Sequence, residues 1–245
     1  MLKKILKLFK PKSSRINSSD NFPVEINDQI KKFINVSDEF SMGGKHRMYV
    51  LSQAIFNSKI NKIEGDFIEC GVWRGGNILL FKLLGDFYNL NKYTYAYDTF
   101  DGMTLPEDVD VDLKGNSASE LMKKIAKDEK DNNKWCYSGI DEVKNNILKY
   151  SNLNNINFIK GPVEQTLLSE KNLPKKISVL RIDTDFYSST KIELEILYPR
   201  LQSGGVLIID DYGHWAGSRK AVDEYFTKKD WLHYVDYTCR YIIKP

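Results

Sequence analysis

Four carboxylates stand in two short runs late in the chain, Arg181-Ile-Asp183-Thr-Asp185-Phe-Tyr187 and Asp210-Asp211-Tyr212. Each run follows an apolar segment of strand length, Ile177–Ile182 and Val206–Ile209. Carboxylates packed together repel one another strongly unless something neutralises them. A hard divalent cation does so, and Mg²⁺ takes a few carboxylate oxygens while keeping positions for water or substrate oxygens. Plainer roles stay open: Asp185 precedes Ser188-Ser189-Thr190 and a helix that it could cap, and Asp211 could serve a turn. His214 follows the Asp pair closely. It can act as a base toward a substrate hydroxyl, or it is a supporting or surface residue.

A second constellation comes earlier, in Phe67-Ile-Glu-Cys-Gly-Val-Trp-Arg-Gly-Gly-Asn77. A strand ends there, glycines follow and a helix begins. Glycine lets the backbone approach a ligand closely, and a helix N-terminus offers free N–H groups. Asp98 ends the next strand, where a carboxylate can accept from both ribose hydroxyls of an adenosine. The glycine order is Gly71-x-x-x-Gly75-Gly76, not the G-x-G-x-x-G that admits a pyrophosphate. Glu69, just before it, repels phosphate and can help to hold an ammonium group through nearby structure. The spacing therefore favours a nucleoside cofactor with a zwitterionic amino-acid tail. Lys160-Gly161-Pro-Val163 follows the third strand and would border the adenine.

The elements that must place these residues alternate. Strands are expected at Asp66–Cys70, Tyr93–Tyr97, Ile156–Ile159, Ile177–Ile182 and Val206–Ile209. Helices are expected at Ile78–Tyr88, Val143–Tyr150, Val163–Leu168, Thr190–Leu201 and Ser218–Thr227, with two more, Asn27–Ile34 and His46–Lys59, before the first strand. Leu232–Tyr237 and Arg240–Lys244 read as a closing antiparallel hairpin. Strand–helix alternation specifies a mostly parallel sheet covered on both faces, with ligands at the carboxyl ends of the strands. Gly102 to about Gly139 breaks the rhythm with an acidic stretch (Glu107, Asp108, Asp110, Asp112) and a polar helix, Ala118–Lys130. A connection of that length is a lid or a binding loop. His46, beside the Gly43-Gly44 loop, is assigned to an entry lid; His233 is structural, and Trp73 and Trp215 are packing or pocket walls.

The 245 residues suit one α/β domain, and 42% hydrophobic with 28% charged residues is an ordinary globular composition. A net charge of +3 with no basic–aromatic stripe argues against nucleic acid. Cys70, Cys136 and Cys239 have neither metal-site nor disulfide spacing, which fits reduced thiols in a cytosolic protein. Leu2, Ile5, Leu6 and Phe9 share one helical face, with lysines elsewhere, so residues 1–12 form a basic amphipathic arm suited to an anionic membrane surface or to docking on a protein. Residues 11–21 read as a linker.

Four segments together resemble the macrocin O-methyltransferase family of TylF/MycF type: Gly65-Asp-Phe-Ile-Glu-Cys-Gly-Val-Trp-Arg-Gly-Gly76, Asp98-Thr-Phe-Asp-Gly-Met103, Leu180-Arg-Ile-Asp-Thr-Asp-Phe-Tyr-Ser-Ser-Thr190, and Gly204–Gly213 with Arg219–Phe226. The likeness runs from about Phe40 to the C-terminus. It implies a Rossmann-like methyltransferase fold with a mostly parallel seven-stranded sheet, helices on both faces and an antiparallel C-terminal hairpin. It divides the chain into an arm and linker, 1–21, and a methyltransferase domain, 22–245, with a lid insertion at about 102–139. It implies S-adenosylmethionine- and Mg²⁺-dependent methylation of a hydroxyl on a sugar or glycosylated acceptor. Asp183, Asp210 and Asp211 would hold the metal, with Asp183 or His214 as the base. Glu69, Gly71, Val72, Trp73, Gly75, Asp98, Thr99, Phe100, Gly161, Val163 and Asp183 would bind the cofactor. Thr184 stands where members often have Gly, the arm lies outside the family pattern, and the lid is unlike that of the antibiotic enzymes. A homo-oligomer is expected, working in the cytoplasm or at the inner membrane face on surface-glycan intermediates. Two rival functions are a nicotinamide-dependent sugar oxidoreductase, against which the glycine spacing speaks, and a non-catalytic membrane-associated scaffold, which has no need of the acidic cluster.

Overall fold

The computed structural model describes residues 22–128, 134–227 and 232–245. The expected amphipathic arm, the linker and the last two residues of the expected lid helix (129–130) lie outside the described residues. Before the sheet come α1 (Asp28–Asp38) and α2 (Gly44–Ile60). The alternating part follows: β1 (Asp66–Cys70), α3 (Gly76–Phe87), β2 (Thr94–Asp98), α4 (Ala118–Asp128), α5 (Ile140–Leu148), β3 (Ile156–Lys160), α6 (Val163–Thr166), β4 (Ile177–Ile182), α7 (Tyr187–Leu197), β5 (Leu201–Ile209) and α8 (Ala216–Tyr225). Short strands β6 (His233–Tyr234) and β7 (Arg240–Ile243) close the chain.

The sheet has seven strands in the order β3-β2-β1-β4-β5-β7-β6. The first five pair in parallel, β7 runs antiparallel to β5, and β6 antiparallel to β7. This is the Rossmann-like architecture expected, with the antiparallel C-terminal pair. Strand order reverses between β1 and β4, so their carboxyl ends open the crevice in which ligands of such sheets bind.

Side chains alternate along a strand, and this divides the core in two. Ile68, Cys70, Leu180, Ile182, Leu207 and Ile209 pack with Val163, Leu194, Leu197 and Val222 under α6–α8. Phe67, Val179, Val206 and Ile208 pack with Ile34, Met48, Leu51, Ile55, Leu80 and Phe81 under α1–α3. Glu69 and Arg181 share the parity of the second set, and the register sets them opposite one another on β1 and β4. A carboxylate and a guanidinium are thus carried into an otherwise oily layer.

Several element boundaries differ from the sequence expectation for local reasons. The helix expected over Thr190–Leu201 starts earlier, at Tyr187, and stops at Leu197. Pro199 has no N–H to continue it, the chain tightens into a 3₁₀ turn over Tyr198–Arg200, and Leu201 opens β5 instead. The helix expected over Val163–Leu168 is a single turn, Val163–Thr166. The first strand of the closing hairpin shrinks to His233–Tyr234. α1 is capped by Asn27, whose side chain accepts from Gln29 N–H at 2.8 Å, with Asp28 in the first turn facing the positive end of the helix.

Candidate active site

The turn after β1 is built around close backbone approach. Gly71 has φ +84°, and a Cβ there would lie 1.9 Å from the carbonyl oxygen of Asp183 on the neighbouring strand end. Its N–H donates to Tyr97 C=O at 2.9 Å, so the turn is tied to β2 while it lies against β4. Gly75, φ +92°, begins α3. Asp98 gathers this region: Oδ2 accepts from Val72 N–H at 2.6 Å and Trp73 N–H at 3.1 Å, and Oδ1 from Phe100 N–H at 2.6 Å. Gly161 N–H donates to the Asp98 carbonyl at 2.9 Å, bringing in the loop after β3. Burial raises the Asp98 carboxyl above its ordinary value, while the three N–H donors oppose that rise.

Beside this turn lies a small pocket, walled by Gly71, Asp98, Thr99, Gly161, Val163 and Asp183, with Met103 and Thr104 from the start of the lid. A second, wider cleft takes Val72 and Trp73 from the same turn, Phe40–Gly43 from the loop before α2, Trp135 and Cys136 from the lid, and Asp185, Asp210, Asp211, His214 and Trp215 from the carboxyl ends of β4 and β5. Gly71 and Asp183 belong to both. Asp183 therefore stands at the seam between a small pocket and a larger cleft.

The expected cofactor residues separate on this map. Gly71, Asp98, Thr99, Gly161, Val163 and Asp183 line the first pocket, and Val72 and Trp73 face the second. Glu69, Gly75 and Phe100 line neither. Glu69 is wholly buried behind the turn, where one oxygen accepts from Asn77 Nδ2 at 2.8 Å and from Arg181 Nη1 at 2.7 Å. Phe100 buries its ring against Phe158 and offers the site only its N–H. His46 is not among the lining residues, although the loop just before it is.

The acidic edge is arranged differently from the expected trio. Asp183, Asp185 and Asp211 each present an oxygen within 4.8 Å of the others. Asp210 turns to two guanidiniums: Oδ1 accepts from Arg181 Nη2 at 2.7 Å and Oδ2 from Arg47 Nη1. Asp185, with φ +68°, is directed at its acidic neighbours and does not cap α7. That task falls to Asp110 of the lid, whose carboxylate accepts from Tyr187 N–H at 2.8 Å and from Glu107 N–H at 2.7 Å.

Burial, opposed by Arg181, raises Asp183 well above the usual carboxylate range, and burial raises Asp211 likewise. Burial pushes Asp185 up to about 7, and Glu69, though paired with Arg181, also to about 7. Asp211 Oδ2 is buried without a hydrogen-bond partner among the described residues. An all-oxygen set with an orphaned buried oxygen fits a hard divalent cation. His214 lines the cleft with a buried, unpartnered Nδ1, its ring edge-on to Trp215 and Tyr237. Burial holds the imidazole below its ordinary pKa, which keeps it neutral and able to accept a proton.

Arg47 had no place in the sequence reading, Asp110 entered it only within the acidic stretch of the lid, and Asn77 and Arg181 only as parts of motifs. For Arg181 a signal existed: a guanidinium inside Ile177–Ile182, a strand in which every residue is buried, must find carboxylates. For Arg47 and Asp110 no local signal exists, because their partners are 163 and 77 residues away.

Comparison with known proteins places the chain. The family model for macrocin O-methyltransferase (TylF) matches residues 35–244. Demethyldecarbamoylnovobiocin O-methyltransferase of Streptomyces niveus is 31% identical over 192 residues, 78% of this chain and 69% of that protein. Mycinamicin III 3''-O-methyltransferase of Micromonospora griseorubida is 29% identical over 194 residues, 76% of this chain and 69% of that protein. The structure of the O-methyltransferase NovP aligns with a TM-score of 0.69 at 28% identity, over 86% of this chain and 88% of that one. The chain belongs to the macrocin O-methyltransferase (TylF) family and is an S-adenosylmethionine-dependent O-methyltransferase.

Proposed function

We propose that the chain methylates a hydroxyl of a sugar or glycosylated acceptor, with a divalent cation, Mg²⁺, held at the carboxyl ends of β4 and β5. The observation that carries this reading is Asp183 at the seam of the two pockets, beside Asp185 and Asp211. A relative of Streptomyces olivaceus supports the acceptor class, since it is named as the 4'-O-methyltransferase of a rhamnosyl-bearing tetracenomycin. The wide cleft, walled by Trp73, Trp135 and Trp215, suits a sugar ring carried on a larger body. A surface glycan intermediate is such an acceptor, and residues 1–12 would bring the enzyme to the inner membrane face where lipid-linked glycans are assembled. Among the described residues no helix is long and apolar enough to cross a membrane.

S-adenosylmethionine supplies a methyl group on a good leaving group, and Mg²⁺ supplies a Lewis acid that lowers the pKa of the acceptor hydroxyl. The protein supplies position and a proton acceptor. Gly71, Asp98, Gly161 and Val163 would seat the cofactor in the pocket that Asp183 also lines. Asp183 and Asp211 hold the cation, with Asp185 beside them and Asp210 fixed by its two arginines. Asp183, or the neutral His214 across the cleft, accepts the hydroxyl proton.

The test is a methyl-transfer assay against nucleotide sugars and glycan extracts, with Mg²⁺ and with EDTA. Asp183→Asn should lower turnover by about 10³-fold and leave S-adenosylmethionine binding by calorimetry unchanged. Near-normal turnover of that variant, or full activity in EDTA, ends the metal-centred reading.

A further inference from the structure

Arg181 takes no part in the chemistry as proposed, yet it is the hub of the acidic edge. Its side chain is only 2% exposed and reaches carboxylates from three strand ends at 2.7 Å each: Glu69 on β1, Asp183 after β4 and Asp210 after β5. Five carboxylates gather here, Glu69, Asp183, Asp185, Asp210 and Asp211, and two guanidiniums, Arg181 and Arg47, face them. Arg47 serves Asp210 and Asp236, so among the described residues Asp183 depends on Arg181 alone for a bonded counter-charge.

The direction of each bond matters. Nη1 donates to Asp183 Oδ2, and the other Asp183 oxygen makes no hydrogen bond among the described residues. Nη1 is also braced from behind, because the Glu69 oxygen that accepts from it is shared with Asn77 of α3. Nη2 is fixed on Asp210. A guanidinium gripped at both forks cannot swing, and it stays charged at any working pH. Asp183, which lines both pockets, is thereby held with one oxygen committed to Arg181 and the other without a hydrogen bond among the described residues.

We infer that Arg181 is a positioning residue for the metal edge: braced by Glu69 and Asp210, it fixes Asp183 with one oxygen turned out, so that a divalent cation meets a ligand already in place. The inference rests on the proposed function above, in which Asp183 and Asp211 hold that cation. A lysine at 181 keeps a positive charge but has no planar fork, so it cannot grip Asp183, Glu69 and Asp210 together. Loss of such a supporting partner costs metal affinity even when the ligands themselves remain.

The experiment uses the full chain and Mn²⁺ as the probe, followed by electron paramagnetic resonance. Calorimetry with S-adenosylmethionine and thermal unfolding without metal control for a damaged fold. Arg181→Lys should unfold cooperatively and keep its cofactor affinity within about twofold, while Mn²⁺ affinity falls by about tenfold or more and kcat falls further than acceptor KM rises. Because Arg181 acts through Asp183, the double variant Arg181→Lys/Asp183→Asn should bind Mn²⁺ no more weakly than Asp183→Asn alone. Arg181→Met removes the charge as well and should lose more; if it fails to fold, the lysine variant and the double variant still decide. Unchanged Mn²⁺ affinity in Arg181→Lys, or additive losses in the double variant, overturns the inference. Absence of Mn²⁺ binding by the unaltered protein overturns the metal reading itself, and the inference with it.

Discussion

The two halves of the site, which meet at Asp183, are held together by different forces. The cofactor side is gathered by Asp98, whose oxygens take three backbone N–H groups from its own strand end and the preceding turn. Its order comes from short-range hydrogen bonds and from a backbone that only glycine follows easily. The acidic side has little backbone support. Its order comes from Arg181 and Arg47, whose charge is set against a cluster that would otherwise fly apart or take up protons. The first design meets its carboxylate with backbone N–H groups and calls on no guanidinium. The second is left with more negative charge than its guanidiniums match, and a divalent cation suits that remainder.

The sharpest way to break the site is where its halves touch. Gly71→Ala drives a Cβ into the Asp183 carbonyl and forces a side chain onto φ +84°. It should cost roughly 3 kcal/mol in unfolding free energy and abolish binding of both cofactor and metal. Retention of either would mean that the halves are less tightly joined than the backbone contact implies.

Asp98→Asn separates them instead. An amide puts N–H groups where backbone N–H groups already point, so cofactor affinity should drop by about tenfold or more, while Mn²⁺ affinity stays unchanged. Coupled loss of both, measured on the same sample, would undo the distinction drawn between the two sides.

A milder probe of the acidic side is pH. Burial raises Asp183, Asp185 and Asp211, Asp185 to about 7, so below that value Asp185 holds a proton that a cation must displace. The stabilisation of the protein by Mg²⁺, read as a thermal shift, should therefore grow from pH 6 to pH 8. Without metal the sign is opposite: a folded-state pKa above the unfolded value favours the folded state at low pH, so stability should fall as pH rises from about 4 through about 7. A flat metal response across that range would show that the cluster is already ionised and unlike the one described.

The smallest expected effect belongs to the lid. Asp110, with only 1% of its surface exposed, pins the lid to the first turn of α7, and it packs so tightly on the start of α8 that a Cβ on Gly217 would lie 1.7 Å from its Oδ1. Asp110→Ala should cost about 1–2 kcal/mol and raise acceptor KM, with cofactor affinity unaltered.

The legible parts of this protein were those that local pattern controls. Strand ends followed from apolar runs, and the glycine turn and Asp98 could be paired because β1 and β2 are neighbours in sequence and in space. The acidic edge was legible as a cluster, since its runs end adjacent parallel strands, but the roles within it were not. Asp185 looked like a cap for α7, and Asp210 like a twin of Asp211. A lid residue capped the helix instead, and Arg47, on a helix laid down before the first strand, claimed Asp210. Residue types and spacing by themselves determined the sheet, the cofactor turn and the presence of concentrated negative charge, because each arises from contacts close along the chain or from strand alternation. Which carboxylate faces its neighbours and which faces an arginine was decided only by the tertiary structure, because charge acts across space and its partners here come from opposite ends of the chain.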